Sequence, residues 1–305
     1  MKLLNKNNIH IVGMRHDLGQ SRRGVDMGPS AIRFAGLNQE LDALGYKVID
    51  DGDISCCTFE TGNMGDPKLR FLNDIVDHCQ ELRDHIKKIV EKSYFPLILG
   101  GDHSITIGSV AGLTHQYEQL GLIYMDAHGD FNTPETTLTG NIHGMSLATI
   151  VGLGHPELTH LGARFPMLSA DSVVLIGVRQ LDPLEKKNLK ESNVKIFTIK
   201  DIDEHGISEV MAKAIEIVTR GESRRPFHFS FDIDSVEPSV APGTGTIVSG
   251  GLTYREAHLA CELVAESRAM VSMEVVEVNP ILDYANQTGK LAVELITSAL
   301  GKTIL

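Results

Sequence analysis

Leu122-Ile123-Tyr124-Met125-Asp126-Ala127-His128-Gly129-Asp130 sets the reading of the rest of the chain. Four apolar residues, two of them β-branched or aromatic, run straight into Asp, Gly and Asp. A short apolar run bounded by such residues is a buried strand rather than a helix. The same pattern recurs along the chain. It predicts strands at Ile9–Met14, Lys47–Asp50, Pro96–Leu99, Leu122–Met125, Val173–Val178, Lys195–Ile199, Phe227–Phe231 and Val271–Val276. Between them the period changes. Leu72, Ile75, Val76, Cys79, Leu82, His85, Ile86 and Val90 recur at three to four residues, which predicts a helix over Leu69–Lys92. Tyr254–Ala265 repeats the pattern, and Pro29 opens a further helix over Ser30–Leu37.

Strands alternating with helices imply a parallel sheet covered on both faces. No internal repeat, low-complexity tract or linker interrupts the 305 residues. The reading is one α/β domain over residues 1–305 with about eight strands. In such sheets ligands sit beyond the carboxyl ends of the strands, so the residues following each strand are the ones that carry chemistry.

Three of those ends are rich in Asp and His. Pro96–Leu99 runs into Gly100-Gly101-Asp102-His103-Ser104, Leu122–Met125 into Asp126-Ala127-His128-Gly129-Asp130, and Phe227–Phe231 into Asp232-Ile233-Asp234. Residues two apart in extended chain point the same way. Asp126, His128 and Asp130 therefore converge, as do Asp232 and Asp234, and His103 joins from a neighbouring strand. Four carboxylates gathered without cations repel one another and shift upward in pKa. Two divalent cations would neutralise them. An oxygen-rich set with a minority of imidazole and no thiolate suits manganese better than zinc or copper, and calcium prefers more oxygens and no His. Taken singly, a strand-end Asp can also serve as a helix cap. Three such motifs at the ends of one sheet favour the metal reading.

The net charge of −12 disfavours a nucleic-acid partner. The four cysteines, Cys56, Cys57, Cys79 and Cys261, show no CxxC spacing, so neither a disulfide framework nor a zinc knuckle is expected, and a cytoplasmic location with reduced thiols is. Met1–Asn8 has no long apolar run, so no signal peptide is expected, and no stretch has the length of a membrane span.

The motifs Gly101-Asp102-His103-Ser104, Asp126-Ala127-His128-Gly129-Asp130 and Ser230-Phe231-Asp232-Ile233-Asp234 resemble the metal motifs of the ureohydrolases, which include arginases, agmatinases and formiminoglutamases. The resemblance runs from Arg23-Gly24-Val25-Asp26-Met27-Gly28-Pro29 to Glu277-Val278-Asn279-Pro280. Within that family Asn132-Thr133-Pro134, Asn141-Ile142-His143-Gly144-Met145 and the Glu-Val-Asn-Pro segment resemble the arginases, especially bacterial ones. The resemblance implies a three-layer α/β/α fold with a mainly parallel eight-stranded sheet. It implies manganese-dependent hydrolysis of L-arginine to L-ornithine and urea, as in the urea cycle, by a hydroxide bridging two Mn2+ per subunit. His103, Asp126, Asp130 and Asp232 would hold one ion. Asp126, His128, Asp232 and Asp234 would hold the other. Asp130 would orient the nucleophile and carry its proton, His143 would shuttle protons to solvent, and Glu277 would pair with the guanidinium group. Asn132, Thr137 and Thr139 would hold the substrate α-carboxylate, and Asp182 and Glu185 its α-ammonium. A trimer or hexamer is implied, and the ending Gly301-Lys302-Thr303-Ile304-Leu305 resembles the bacterial form.

There are departures from the family pattern. Thr139 stands where many arginases have Ser, Gln180 where animal arginases have Asp, and Glu237 where many relatives have Asp; for Glu237 a local adjustment is expected. Agmatinase, with shared chemistry and a different pocket rim, is the nearest alternative. A two-metal phosphoesterase is disfavoured because no glycine-rich phosphate loop is present. A catalytically silent protein on this fold is disfavoured by the full ligand set. His16, near Asp17-Leu18-Gly19, is expected at the surface, with the rim of the site as the alternative, and His78, His85 and His258, on helical patterns, are not expected to be ligands.

Overall fold

Every predicted strand forms, and the order in which they pair explains why distant motifs meet. The computed structural model describes residues 8–221 and 224–303; the predicted signal-free stretch at residues 1–7 and the last two residues of the carboxyl-terminal pentapeptide lie outside them. The strands are β1 (Asn8–Met14), β2 (Lys47–Ile54), β3 (Phe95–Gly100), β4 (Gly121–Met125), β5 (Val173–Val178), β6 (Lys195–Thr198), β7 (Phe227–Asp232) and β8 (Met270–Val276). They form one sheet in the order β2-β1-β3-β8-β7-β4-β5-β6, with every pair parallel.

Period-two alternation sends side chains to two separate cores. Leu97, Leu99, Ile123, Met125, Phe229 and Phe231 pack on one face with the helices Gly28–Phe34, Leu37–Ala43, Ile207–Val218, Tyr254–Ser267 and Gln287–Ala299. Ile98, Leu122, Tyr124, Val173 and Leu175 pack on the other with Leu72–Glu91, Ile105–Leu113 and Ser146–Ile150. A sheet between two helical layers is the α/β arrangement that buries both strand faces.

Among the boundaries that differ from the sequence reading, three have a clear local reason. The helix expected over Ser30–Leu37 is two helices, because Gly36 takes a left-handed φ of 96° between them. Strand β2 runs past Asp50 to Ile54. It lies at the sheet edge, where charge is tolerated, and Arg33 bonds both Asp50 and Asp53. Strand β6 stops at Thr198 because that hydroxyl caps the helix Ile199–His205, accepting from the Asp201 amide.

The central strands run β3-β8-β7-β4. Their carboxyl ends therefore place residues near 101, 277, 232 and 126 side by side, at the crevice where ligands of such sheets bind.

Candidate metal centre

Two groups of side chains close around Asp126. His103 Nδ1 lies 2.9 Å from Asp126 Oδ2, 3.1 Å from Asp232 Oδ2 and 3.3 Å from Asp130 Oδ2. His128 Nδ1 lies 3.0 Å from Asp234 Oδ2 and 3.3 Å from Asp126 Oδ1. Asp126 thus turns one oxygen to each imidazole. The ligand atoms of His103, Asp126 and Asp130, and those of Asp126, His128 and Asp234, each lie within 4.8 Å of one another. Asp232 also accepts from the Asp234 amide through Oδ1, which leaves its Oδ2 toward His103. All six predicted ligands are brought together.

The hydrogen-bond network identifies which nitrogen of His103 is free. Ser230 Oγ donates to Glu274 Oε1 at 2.7 Å, so it accepts from His103 Nε2–H at 2.8 Å. In the neutral ring Nδ1 then carries a lone pair, aimed at three carboxylates. Neither His103 Nδ1 nor Asp126 Oδ2 has a hydrogen-bond partner of acceptable geometry, although both are buried. Something positive belongs in that space. A proton serves one oxygen; a divalent cation serves the whole set, and so the residues fit bound metal.

The protonation energetics agree. Burial, then the charge of Asp126, pushes Asp130 up to about 8. Burial with the charges of Asp234 and Asp126 drives Asp232 well above the carboxylate range, and burial also raises Asp234. For Asp126 burial acts the same way but is outweighed by hydrogen bonds and charge from His103 and His128, which hold it low. Both imidazoles are pulled well above their ordinary range by these carboxylates, against burial.

Asp130 and Glu277 sit in left-handed backbone, at φ 48° and 65°. Neither is Gly, so each position is strained, as residues at reactive centres often are. Asp130 Oδ2 accepts from the Tyr124 hydroxyl at 2.6 Å, and the Tyr124 ring stacks on His103 with centroids 4.2 Å apart. Glu277 Oε1 accepts from the His103 amide and from His143 Nδ1–H; Oε2 accepts from Gln20 Nε2. Burial opposes charge on His143, but the bond to Glu277 and the charges of Glu277, Asp130 and Asp102 outweigh it and hold its pKa at about 9.

The substrate-contact candidates fall into two neighbouring clusters. Asn132 Nδ2 donates to Asp182 Oδ2, and Glu185 accepts from the amides of Phe131 and Asp182. Glu185 is therefore buried in a capping box rather than solvated on a helix face. Thr137 Oγ1 accepts from the Gly140 amide, and the exposed Thr139 accepts from Asn141. It is Thr136 that bonds the Asn132 side chain.

His16 corrects the expectation of a surface residue: it is 1% exposed. His78, on the helix Leu72–Glu91, accepts from the Cys57 amide through Nε2, so its Nδ1–H donates to His16 Nδ1 at 3.2 Å. His16 Nε2–H then meets Ser104 Oγ at 2.9 Å, and Ser104 donates to Asp102 Oδ1. Cys56 completes a third group spaced for a metal, but this ordered chain already uses both nitrogens of each imidazole, so His78 serves as a hydrogen-bonding residue. Glu237 Oε2 accepts from the Gly250 and Gly251 amides. The loop bearing Gln180 is held instead by Arg179, whose guanidinium reaches the carbonyls of Asp234, Ser235 and Val248.

Ser230, Tyr124, Glu274, Gln20, Asp102 and Arg179 were not singled out from sequence. A polar residue inside an apolar strand, as Ser230 and Glu274 are, was the available signal.

A family model described as the arginase family matches residues 7–301. The chain is 48% identical to an arginase of Bacillus caldovelox, over 97% of this chain and 99% of that one. It is 47% identical to an arginase of Bacillus subtilis strain 168, with coverage of 97% and 99%. The crystal structure of the Bacillus caldovelox arginase superposes with a TM-score of 0.94 at 47% identity, over 98% of this chain and 99% of that chain.

Proposed function

Because the chain belongs to the arginase family, we propose that it is a manganese enzyme hydrolysing L-arginine to L-ornithine and urea. It is a hydrolase of linear amidine carbon–nitrogen bonds. The observation that carries the finer reading is the unpartnered His103 Nδ1 facing three carboxylate oxygens beside a second imidazole–carboxylate group that shares Asp126.

His103, Asp126, Asp130 and Asp232 would hold one Mn2+, and Asp126, His128, Asp232 and Asp234 the other. When bound, the pair supplies Lewis acidity that makes water nucleophilic near neutral pH and offsets the carboxylate charge. The protein's own part begins with guanidinium, a poor electrophile that must be held still. Glu277 supplies the planar two-oxygen partner. The Tyr124 hydroxyl fixes Oδ2 of Asp130, so its Oδ1 can take a proton from the attacking water and hand it to the departing δ-nitrogen. His143 keeps 20% of its side chain exposed while its partner Glu277 keeps 3%, which makes it the group of the pair that exchanges protons with bulk water. Asn132, Thr137 and Thr139 receive the α-carboxylate, and Asp182 and Glu185 the α-ammonium, in part through water.

The chain is read as one domain that assembles as a trimer or hexamer in the cytoplasm. Ile281 and Tyr284, 64% and 79% exposed, offer apolar surface for such contacts. No helix among the described residues is long and apolar enough to cross a membrane.

Urea release from arginine and from agmatine, measured after manganese loading, tests the substrate. Arginine is the expected substrate. A preference for agmatine would refute the carboxylate-binding role of Asn132, Thr137 and Thr139.

A further inference from the structure

One buried acceptor beside Glu277 has no partner. Gln20 is 1% exposed, and its Nε2 donates to Glu277 Oε2 at 2.8 Å. A carboxylate only accepts, so the orientation of this amide is fixed and its oxygen is the atom left over. Among the described residues nothing hydrogen-bonds Gln20 Oε1. A buried amide oxygen without a partner is costly and rare, and calls for an explanation.

Its surroundings supply one. A Cβ on Gly245 would stand 2.6 Å from Gln20 Oε1 and 3.0 Å from Glu277 Oε2. The neutral and the charged acceptor thus border the same stretch of backbone, so closely that any side chain at position 245 would collide with both. The segment that carries Gln20 is held firmly. Asp102 Oδ2 accepts from the Gly19 amide, Asp102 N donates to the His16 carbonyl, and the Gly19 carbonyl accepts from the His143 amide.

A guanidinium group presents five N–H donors in one plane and no acceptor. Glu277 cannot receive them all, since it already accepts from His103 N, His143 and Gln20. We propose that Gln20 is a specificity-determining residue whose Oε1 accepts an N–H of the substrate guanidinium while its Nε2 orients Glu277. This rests on the arginine reading above. A ligand ending in an ammonium or hydroxyl would leave Oε1 unsatisfied or reach it with fewer donors, so the contact favours guanidino compounds.

The test compares ligands with and without the guanidinium group. Gln20→Met should lower kcat/KM for arginine roughly 10- to 100-fold, the range for losing a hydrogen bond to a charged group, and leave inhibition by ornithine unchanged. To separate direct contact from action through Glu277, arginine binding is measured by calorimetry in a Glu277→Gln background. Adding Gln20→Met there should weaken arginine again by about tenfold. Gly245→Ala, which crowds Oε1, should show the same asymmetry between arginine and ornithine and guards against misfolding of the first variant. Equal loss of arginine and ornithine, or a loss confined to chains that retain Glu277, overturns the proposal. Wild-type protein that binds arginine but releases no urea overturns the arginase reading and leaves the calorimetric test standing; wild-type protein that binds no arginine overturns both.

Discussion

His103 has its two ring nitrogens committed by different neighbours, and that division defines the site. Ser230 takes the Nε2 proton because its own proton goes to Glu274. Thr106 also donates to Glu274, and against burial the charge of His228, with the Thr106 hydroxyl bond, holds that carboxyl at about 2. Ser230→Ala would leave Nε2–H without its acceptor and let the ring turn or change tautomer. The expected result is a manganese affinity lower by roughly 10- to 100-fold with the fold retained, measured by equilibrium dialysis; unchanged affinity would contradict the tautomer assignment. The candidate ligands were legible as a cluster in the sequence because alternate residues at a strand end share a side. Ser230 and Glu274 were not, since which side of a strand faces an ion depends on the strands beside it. Gln20 and His16 were hidden for another reason. They lie in a loop without periodicity, and their partners Glu277 and Ser104 are 257 and 88 residues away.

At the scale of elements, the loop 16–20 and the helix Leu72–Glu91 are joined by the His16–His78 contact. Burial, then the positive charge that a facing His16 would carry, lowers the His78 pKa to about 4 from 6.5. Between those values the unfolded chain binds a proton that the folded chain refuses, so this contribution is at its most favourable above pH 6.5 and is lost as pH falls toward 4. The loss is on the order of 3 kcal/mol. Urea unfolding of the wild type and of His78→Gln across this range should give a shallower acid slope for the variant; identical slopes would remove His78 from the acid sensitivity. The strands and the long helices could be read from their periods. The break at Gly36 and the cap at Thr198 were missed because a turn of one or two residues barely disturbs a periodic pattern. His16 was misplaced because its burial comes in part from His78, on a helix 62 residues later in the chain.

For the whole molecule the decisive fact is topological. Sequence predicts strands and carboxyl-end chemistry, but the order β3-β8-β7-β4 at the sheet centre follows from how crossovers pack, which local pattern does not encode. That order brings residue 277 between residues 101 and 232, and so places Glu277 beside His103. It also concentrates buried acid in one crevice, which ties metal uptake to the integrity of the sheet. The most direct measurement is the number of manganese ions per chain, by mass spectrometry of metals after equilibrium dialysis, for wild type and Asp126→Ala. The account predicts two ions in the wild type and loss of both in the variant, because Asp126 reaches each imidazole with a different oxygen. A wild type that takes one ion or none, or an Asp126→Ala protein that keeps two, would contradict it.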